Sequence, residues 1–316
     1  MTTSVAPPGE RRAVVGLHVG AQRLRGLIAT HGGRVTDVEE WYTRPERGTD
    51  AVVDTVLGSA AELIETARRS GARVTSVGVS VPGIVDGSSG TVRSSAALGR
   101  RVTPIRGWLE EHLDVPVTVA GDLHAAAVAE SRFGAGCGRR RFALVLVGRS
   151  ITAAEVGGDT SFDGGEAGGP GHGLVDPGRT PCPCGARSCP ATAATTHTLT
   201  RRYTEASGHR GVTARGLLTG AAVGEGPAGL MWHEAVDALA EILVPLAGRV
   251  DIMAVGDRTA HVDGDLLLRP LRSALARRLT PGALPELVAA RLGRDAYGLG
   301  AVCLARAACA EVRLAT

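Results

Sequence analysis

The sequence predicts an α/β fold of two similar halves with a cleft between them, and three observations carry that expectation. Strand-like runs Ala13–Val19 and Leu24–Thr30 open the chain around a Gly-containing turn, and the same hairpin start returns as Phe142–Val147 and Ile151–Val156. After each hairpin, short β-rich runs alternate with stretches of helical periodicity. At 316 residues, 44% of them hydrophobic, the chain has the length for two domains or one large one, with ample apolar material for a core. A motif repeated in each half points to duplication.

In chain order, residues 1–12 read as a disordered polar tail. Arg34–Tyr42 adds a third strand to the first hairpin, because Gly turns bound it and a meander follows. Val53, Val56, Leu57, Ala60, Leu63 and Ile64 recur at helical spacing and predict a helix over Asp50–Arg69. Val74–Val81 is a buried strand stopped by Pro82-Gly83. Trp108–His112 ends a short helix, Val115–Ala120 is a strand, and Leu123–Arg132 is an Ala-rich helix. Gly157–Pro190 is rich in Gly, Pro and Cys with no regular period, and a loop of that length in a compact chain is functional or held by something. Helices follow at Thr192–Ala206, Thr213–Ala222 and Ala228–Arg249. They are followed by a strand at Asp251–Val255, a helix at Gly264–Arg278, an extended Glu286–Ala289 and a last helix from Ala296.

Composition excludes several chemistries. The chain has no Lys and no Asn, so all 35 basic side chains are Arg. Lys and Asn codons share two leading adenines, and a GC-rich genome explains most of this. A P-loop with its phosphate-reaching Lys is impossible here, as are a Schiff-base lysine and an N-glycosylation acceptor. Net charge is +3 with Arg and acids interleaved, and the densest basic run is only Arg139–Arg141, a weak footprint for nucleic acid. No apolar leader is visible. The most apolar helix, Ala228–Ala247, carries His233, Glu234, Asp237 and Glu241, so no membrane span is expected and the chain reads as cytoplasmic.

The long loop holds His172, then Cys182, Cys184 and Cys189. One imidazole and three thiols so close together, in a chain with no secretion signal, indicate a metal rather than disulfides. A Cys₃His set is the closed donor set of structural Zn²⁺, with no open position for catalytic water. Cys137, Cys303 and Cys309 lack such spacing and read as small packing residues.

The pattern His172-x₉-Cys182-x-Cys184-Gly185-x₃-Cys189 resembles the zinc module of the ROK family of bacterial sugar kinases and sugar repressors. Other segments are similar to that family in the same order: the first hairpin over Ala13–Ala29, Gly78–Asp86 (GVSVPGIVD), Val115–Glu130 (VPVTVAGDLHAAAVAE), Gly264–Arg272 (GDLLLRPLR) and Ala296–Ala305. The resemblance implies a two-domain actin-like ATPase fold of the sugar kinase type, with ATP and a hexose in the cleft and a zinc-bound loop bracing the sugar side. It implies an N-terminal α/β domain over 13–119, completed by the helix near 296–310. A C-terminal α/β domain over 120–295 carries the zinc module, 172–189. It also implies a homodimer. Family repressors carry an N-terminal helix-turn-helix, and the residues before Ala13 are too few for one, so no direct DNA binding is expected.

The resemblance assigns the catalytic base to Asp122, in Gly121-Asp122-Leu123. Read by itself, an Asp before a helix is an N-cap. The family's first phosphate loop, Asp-x-Gly-Gly-Thr-Lys, corresponds to His18-Val19-Gly20-Ala21-Gln22-Arg23. An imidazole is a poor partner for hydrated magnesium. The second loop, Gly-Thr-Gly-x-Gly, corresponds to Gly148-Arg149-Ser150-Ile151-Thr152, so two glycines have gained side chains and Arg149 projects toward the phosphates. The adenosine-side glycines become Gly256-Asp257-Arg258. Sugar-contacting Asn and Glu positions hold Gly121, Ala97, Gly169 and Ala191. His18, Gly20, Gly148, Arg149 and Gly256 therefore read as remnants of a nucleotide site.

Codon pressure explains a missing Asn, but not His for Asp or Gly and Ala for Glu. The substitutions weigh against Mg-ATP as a cofactor. They point to a catalytically impaired or inactive relative of the sugar kinases, acting as a ligand-binding or regulatory protein with a small molecule in the interdomain cleft. The alternative is an active ATP-dependent, glucokinase-like carbohydrate kinase with Asp122 as general base. A third reading is a sensor that works with a separate protein partner.

Overall fold

The computed structural model describes residues 11–95, 97–99, 101–148, 150–157, 189, 191–208, 216, 226–256 and 264–314. The chain divides into two compact units: one runs to Ala129 and resumes at Asp295, the other comprises Glu130–Arg294.

The first unit is built on a five-stranded mixed sheet. Strands β1 (Arg11–Val19), β2 (Arg23–Thr30) and β3 (Val35–Tyr42) form the antiparallel meander, and β4 (Ala72–Val81) and β7 (Val117–Gly121) extend it in parallel, in the order β3-β2-β1-β4-β7. β1 and β4 are almost continuously buried, as parallel strands covered on both faces must be. Helix α1 (Thr49–Arg69) lays Val52, Val56, Ala60 and Leu63 on the sheet, in a core shared with Leu17, Val77 and Val79. A small hairpin of β5 (Ile84–Asp86) and β6 (Thr91–Ser94) and the helix α2 (Ile105–Glu110) precede β7. Helix α3 (Asp122–Phe133) follows β7 directly, and the last helix, which we number α8 (Asp295–Leu314), returns to this unit.

α8 approaches the sheet at backbone distance. A Cβ on Gly16 or Gly78 would overlap the carbonyls of Gly298 or Ala301, and one on Gly300 would overlap the carbonyl of Ala125 in α3. Four glycines, Gly16, Gly78, Gly298 and Gly300, thus line the seam. The start of α3, with Asp122, groups with the first unit, where Ala125 packs on α8. At the other end, β1 begins at Arg11, whose register partner is Ala72.

The second unit repeats the strand plan. β8 (Phe142–Val147) and β9 (Ile151–Val156) form the hairpin, β10 (Ile252–Gly256) and β11 (Glu286–Ala289) run parallel to β8, and the order is β11-β10-β8-β9. The helix expected over Thr192–Ala206 is two helices, α4 (Ala191–Ala194) and α5 (Thr196–Ser207). Thr195 between them caps α5 by accepting the Thr198 amide at 3.4 Å. α6 (Pro227–Ala247) and α7 (Gly264–Ala276) bury Leu239, Leu243, Leu271 and Leu275 in a core with Val145, Met253 and Val255. The helix expected at Thr213–Ala222 lies outside the described residues except for Gly216. Among the described residues no helix is long and apolar enough to cross a membrane.

Charge pairs close the start of β8. Arg141 donates to Asp251 from Nε at 3.1 Å and from Nη2 at 2.5 Å, which holds the Asp251 carboxyl below its ordinary range. A carboxyl depressed in the folded state stabilises above its unfolded pKa, and that contribution is lost as pH falls through the folded value. Asp251→Asn should therefore lower the melting temperature slightly at pH 7 and leave it unchanged only once pH has fallen below the lowered folded value, where the carboxyl is protonated in both states. A Tm difference that persisted in acid would contradict this pairing.

Candidate functional site

In open α/β sheets ligands sit beyond the carboxyl ends of parallel strands, where loops and helix N-termini gather. In the first unit those ends are the ends of β1, β4 and β7, with register pairs His18↔Ser80 and Ser80↔Ala120. The fold therefore brings His18, Gly20 and Asp122, which the family resemblance singles out, to one edge of one sheet.

Asp122 is 4% exposed, at the junction of β7 and α3, and its Oδ1 accepts the Leu123 amide at 2.8 Å. His18 is held on two sides. Its Nδ1 lies 3.1 Å from Ser80 Oγ, and the buried Ser80 hydroxyl donates to the Leu17 carbonyl at 3.3 Å, which assigns the Nδ1 proton to the His18 side of the contact. Its ring is stacked on Tyr297 in the first turn of α8, centroids 4.4 Å apart and planes 17° from parallel. Tyr297 is itself 6% exposed. Sequence reasoning missed both partners; the one available signal was a lone Tyr in the small-residue start of the last helix.

The turn from β1 to β2 folds back on itself. The Gly20 amide donates to the Arg23 carbonyl at 2.8 Å, and the same carbonyl lies 2.6 Å from the place of a Gly20 Cβ, so glycine is required for the close approach. Arg23 leaves the turn to lie over the Tyr42 ring at 4.8 Å and donates to Tyr42 Oη at 3.2 Å. Arg25 donates to Glu40 at 2.7 Å and to Asp295, at the start of α8, at 2.6 Å. Arg23 thus sits in a surface network with Glu40 and Tyr42. Ala97, at the position matched to a sugar-contacting Asn, is packed in the core beside Leu98.

In the second unit Gly148 and Gly256 lie at the carboxyl ends of β8 and β10. The Gly148 amide donates to the Ser150 carbonyl at 3.0 Å, and Thr152 is buried on β9. Gly256 is buried, and a Cβ there would come 2.9 Å from the Ala290 Cβ. Arg149, Asp257, Arg258 and Gly169 lie outside the described residues, and no side-chain position is described for Ala191. Of the four expected zinc ligands, His172, Cys182 and Cys184 also lie outside them. Cys189 is buried at the entry to α4, where its carbonyl accepts the Thr192 amide at 2.9 Å and hydroxyl at 2.6 Å.

Two hairpin-led mixed sheets, each gathering small-residue turns at the carboxyl ends of its parallel strands, define the class. The sequence model described as "ROK family" matches residues 14–308, and the chain belongs to that family. It is similar to a glucokinase of Streptomyces coelicolor, 27% identical over 92% of this chain and 97% of that one. It is also similar to the DNA-binding transcriptional dual regulator NagC of Escherichia coli K12, 30% identical over 52% of this chain and 41% of that one. Among solved structures, a ROK hexokinase from Thermus thermophilus superimposes with a TM-score of 0.80 at 28% identity, covering 95% of this chain and 99% of that one. The α/β fold with mixed sheets is thus that of the ROK sugar kinases, the actin-like ATPase fold.

Proposed function

We propose that this chain is a ROK protein that keeps the sugar-kinase fold while its phosphoryl-transfer chemistry is impaired or lost, and that it acts by binding a small molecule or by regulation. The observation that carries the reading is His18. Hydrated Mg²⁺ is held through carboxylate, water and phosphate oxygens. At the end of β1 this chain instead offers an imidazole already engaged by Ser80 and stacked on Tyr297. The donor set does not fit magnesium there, and a kinase must hold Mg-ATP before Asp122 has any proton to take. Ala97 in the core and Gly121 before Asp122 support the same reading, because neither supplies an amide to a sugar hydroxyl. Calorimetric titration with Mg-ATP is expected to show no saturable binding. Binding in the micromolar to low millimolar range, the span of ordinary enzyme substrates, would overturn the reading.

One observation favours the second reading, an active ATP-dependent sugar kinase. Asp122 is retained, buried, and placed where β7 meets α3, at the carboxyl edge of the parallel strands. The glucokinase relative aligns along nearly its whole length.

His172, Cys182, Cys184 and Cys189 form a donor set that fits structural Zn²⁺, and the burial of Cys189 suits a closed site. These four residues would hold the metal, which would supply a structural link and no chemistry. Purified protein should contain one zinc per chain, and chelation or Cys184→Ser should remove it and lower the melting temperature, because metal binding to such a site is folding free energy. Protein without stoichiometric zinc would refute the assignment.

A further inference from the structure

The misfit to magnesium at the β1–β2 turn is built by two residues from opposite ends of the chain. His18 is fixed by Ser80 on one side and by the Tyr297 ring on the other, and its Nε2 lies 3.9 Å from where a Gly20 Cβ would be. The ring pair therefore stands directly behind the turn. Tyr297 is brought close to β1 because the next residue, Gly298, has its carbonyl against Gly16 of β1 with no space for a Cβ between them. The turn's own Gly20 amide, the kind of donor that a phosphate site aims outward, is bonded to Arg23.

We propose that the His18–Tyr297 pair is the specificity element of this turn, excluding magnesium-bound phosphates from the carboxyl end of β1. The inference rests on the proposed loss of phosphoryl transfer and assigns it to a coupled pair. A carboxylate placed at 18 alone would face the electron-rich side of the Tyr297 ring, which repels negative charge. Removing Tyr297 alone leaves an imidazole where a hard cation needs oxygen. Only the double change supplies an oxygen ligand with space beside it.

The test is calorimetry with AMP-PNP, with Mg²⁺ and with EDTA, on the wild type, His18→Asp, Tyr297→Ala, the double variant, and His18→Asp combined with Tyr297→Phe, which keeps the ring. The double variant with Ala is expected to bind at least tenfold more tightly with Mg²⁺ than with EDTA, and the others to show no such dependence. A folded double variant with no magnesium-dependent gain overturns the proposal and leaves the proposed function standing. A gain by His18→Asp alone, or with Phe at 297, overturns the coupling. If the wild type already shows the dependence, both the pair's role and the loss of nucleotide chemistry fall. Should Ala at 297 prevent folding, His18→Asp with Tyr297→Leu, which keeps apolar volume beneath the helix, takes its place in the same titrations: a magnesium-dependent gain is expected, and its absence in the folded variant overturns the proposal.

Discussion

Gly300→Ala is expected to destabilise the first unit by about 3 kcal/mol or more, at or above the upper end of ordinary overpacking. The added methyl would meet the Ala125 carbonyl, a backbone atom inside α3 that no rotamer change can move aside. Relief requires α8 and α3 to separate, and α8 is pinned at the same level by Gly298 on Gly16 and by Ala301 on Gly78. Helix propensity favours the same substitution by about 1 kcal/mol, so a loss in its presence reports the seam alone. Gly58→Ala is the control: it lies in α1, where a Cβ meets nothing within 4 Å, and it is expected to be neutral or stabilising. Thermal melts of the two variants check the pair. Equal melting temperatures for Gly300→Ala and the wild type would mean that the helices do not approach as described.

Glu130→Ala is expected to cost about 3 kcal/mol, on the order of 1 kcal/mol for each of the three backbone hydrogen bonds its carboxylate accepts. Glu130 is 1% exposed, and its carboxylate accepts three backbone amides. Arg291 and Leu292 donate to Oε1 at 2.7 Å each, and Ala135 donates to Oε2 at 2.8 Å. One side chain thereby fixes the loop after α3 and the loop after β11, both within the second unit. Removing it takes the acceptor from three partly buried backbone amides, at roughly 1–3 kcal/mol each where water does not take its place. Glu130→Gln keeps one acceptor oxygen but turns an NH₂ toward amide donors, so it should lose about half as much. A Glu130→Ala variant melting with the wild type would show that these amides find other partners without cost.

Much of the architecture was legible because it rests on period and punctuation. The hairpins at 13–30 and 142–156 are apolar runs broken by short Gly-containing turns, and in each sheet two later strands extend in parallel from the hairpin's first strand. The β5–β6 hairpin was not legible: β5 is only three residues long, Ile84–Asp86, with no alternation to read. The break at Thr195 was hidden because Thr fits the helical pattern around it, although its side chain forms the cap. The resemblance to the family's motifs identified His18, Gly20 and Asp122. It did not identify Ser80 and Tyr297, which meet His18 only because β4 runs parallel to β1 and α8 returns to the first sheet. Nor did it show that Ala97 is a core residue, since a lone Ala between Ala96 and Leu98 has no period of its own.

The proposed function bears most directly on chemistry, and one measurement addresses it: phosphoryl transfer from Mg-ATP to a panel of hexoses by wild-type protein and by Asp122→Ala. The prediction is no transfer above background for either protein, with the Asp122→Ala variant as well folded as the wild type. Sugar phosphate formed by the wild type and abolished by Asp122→Ala would contradict the account and establish an active kinase with Asp122 as its base.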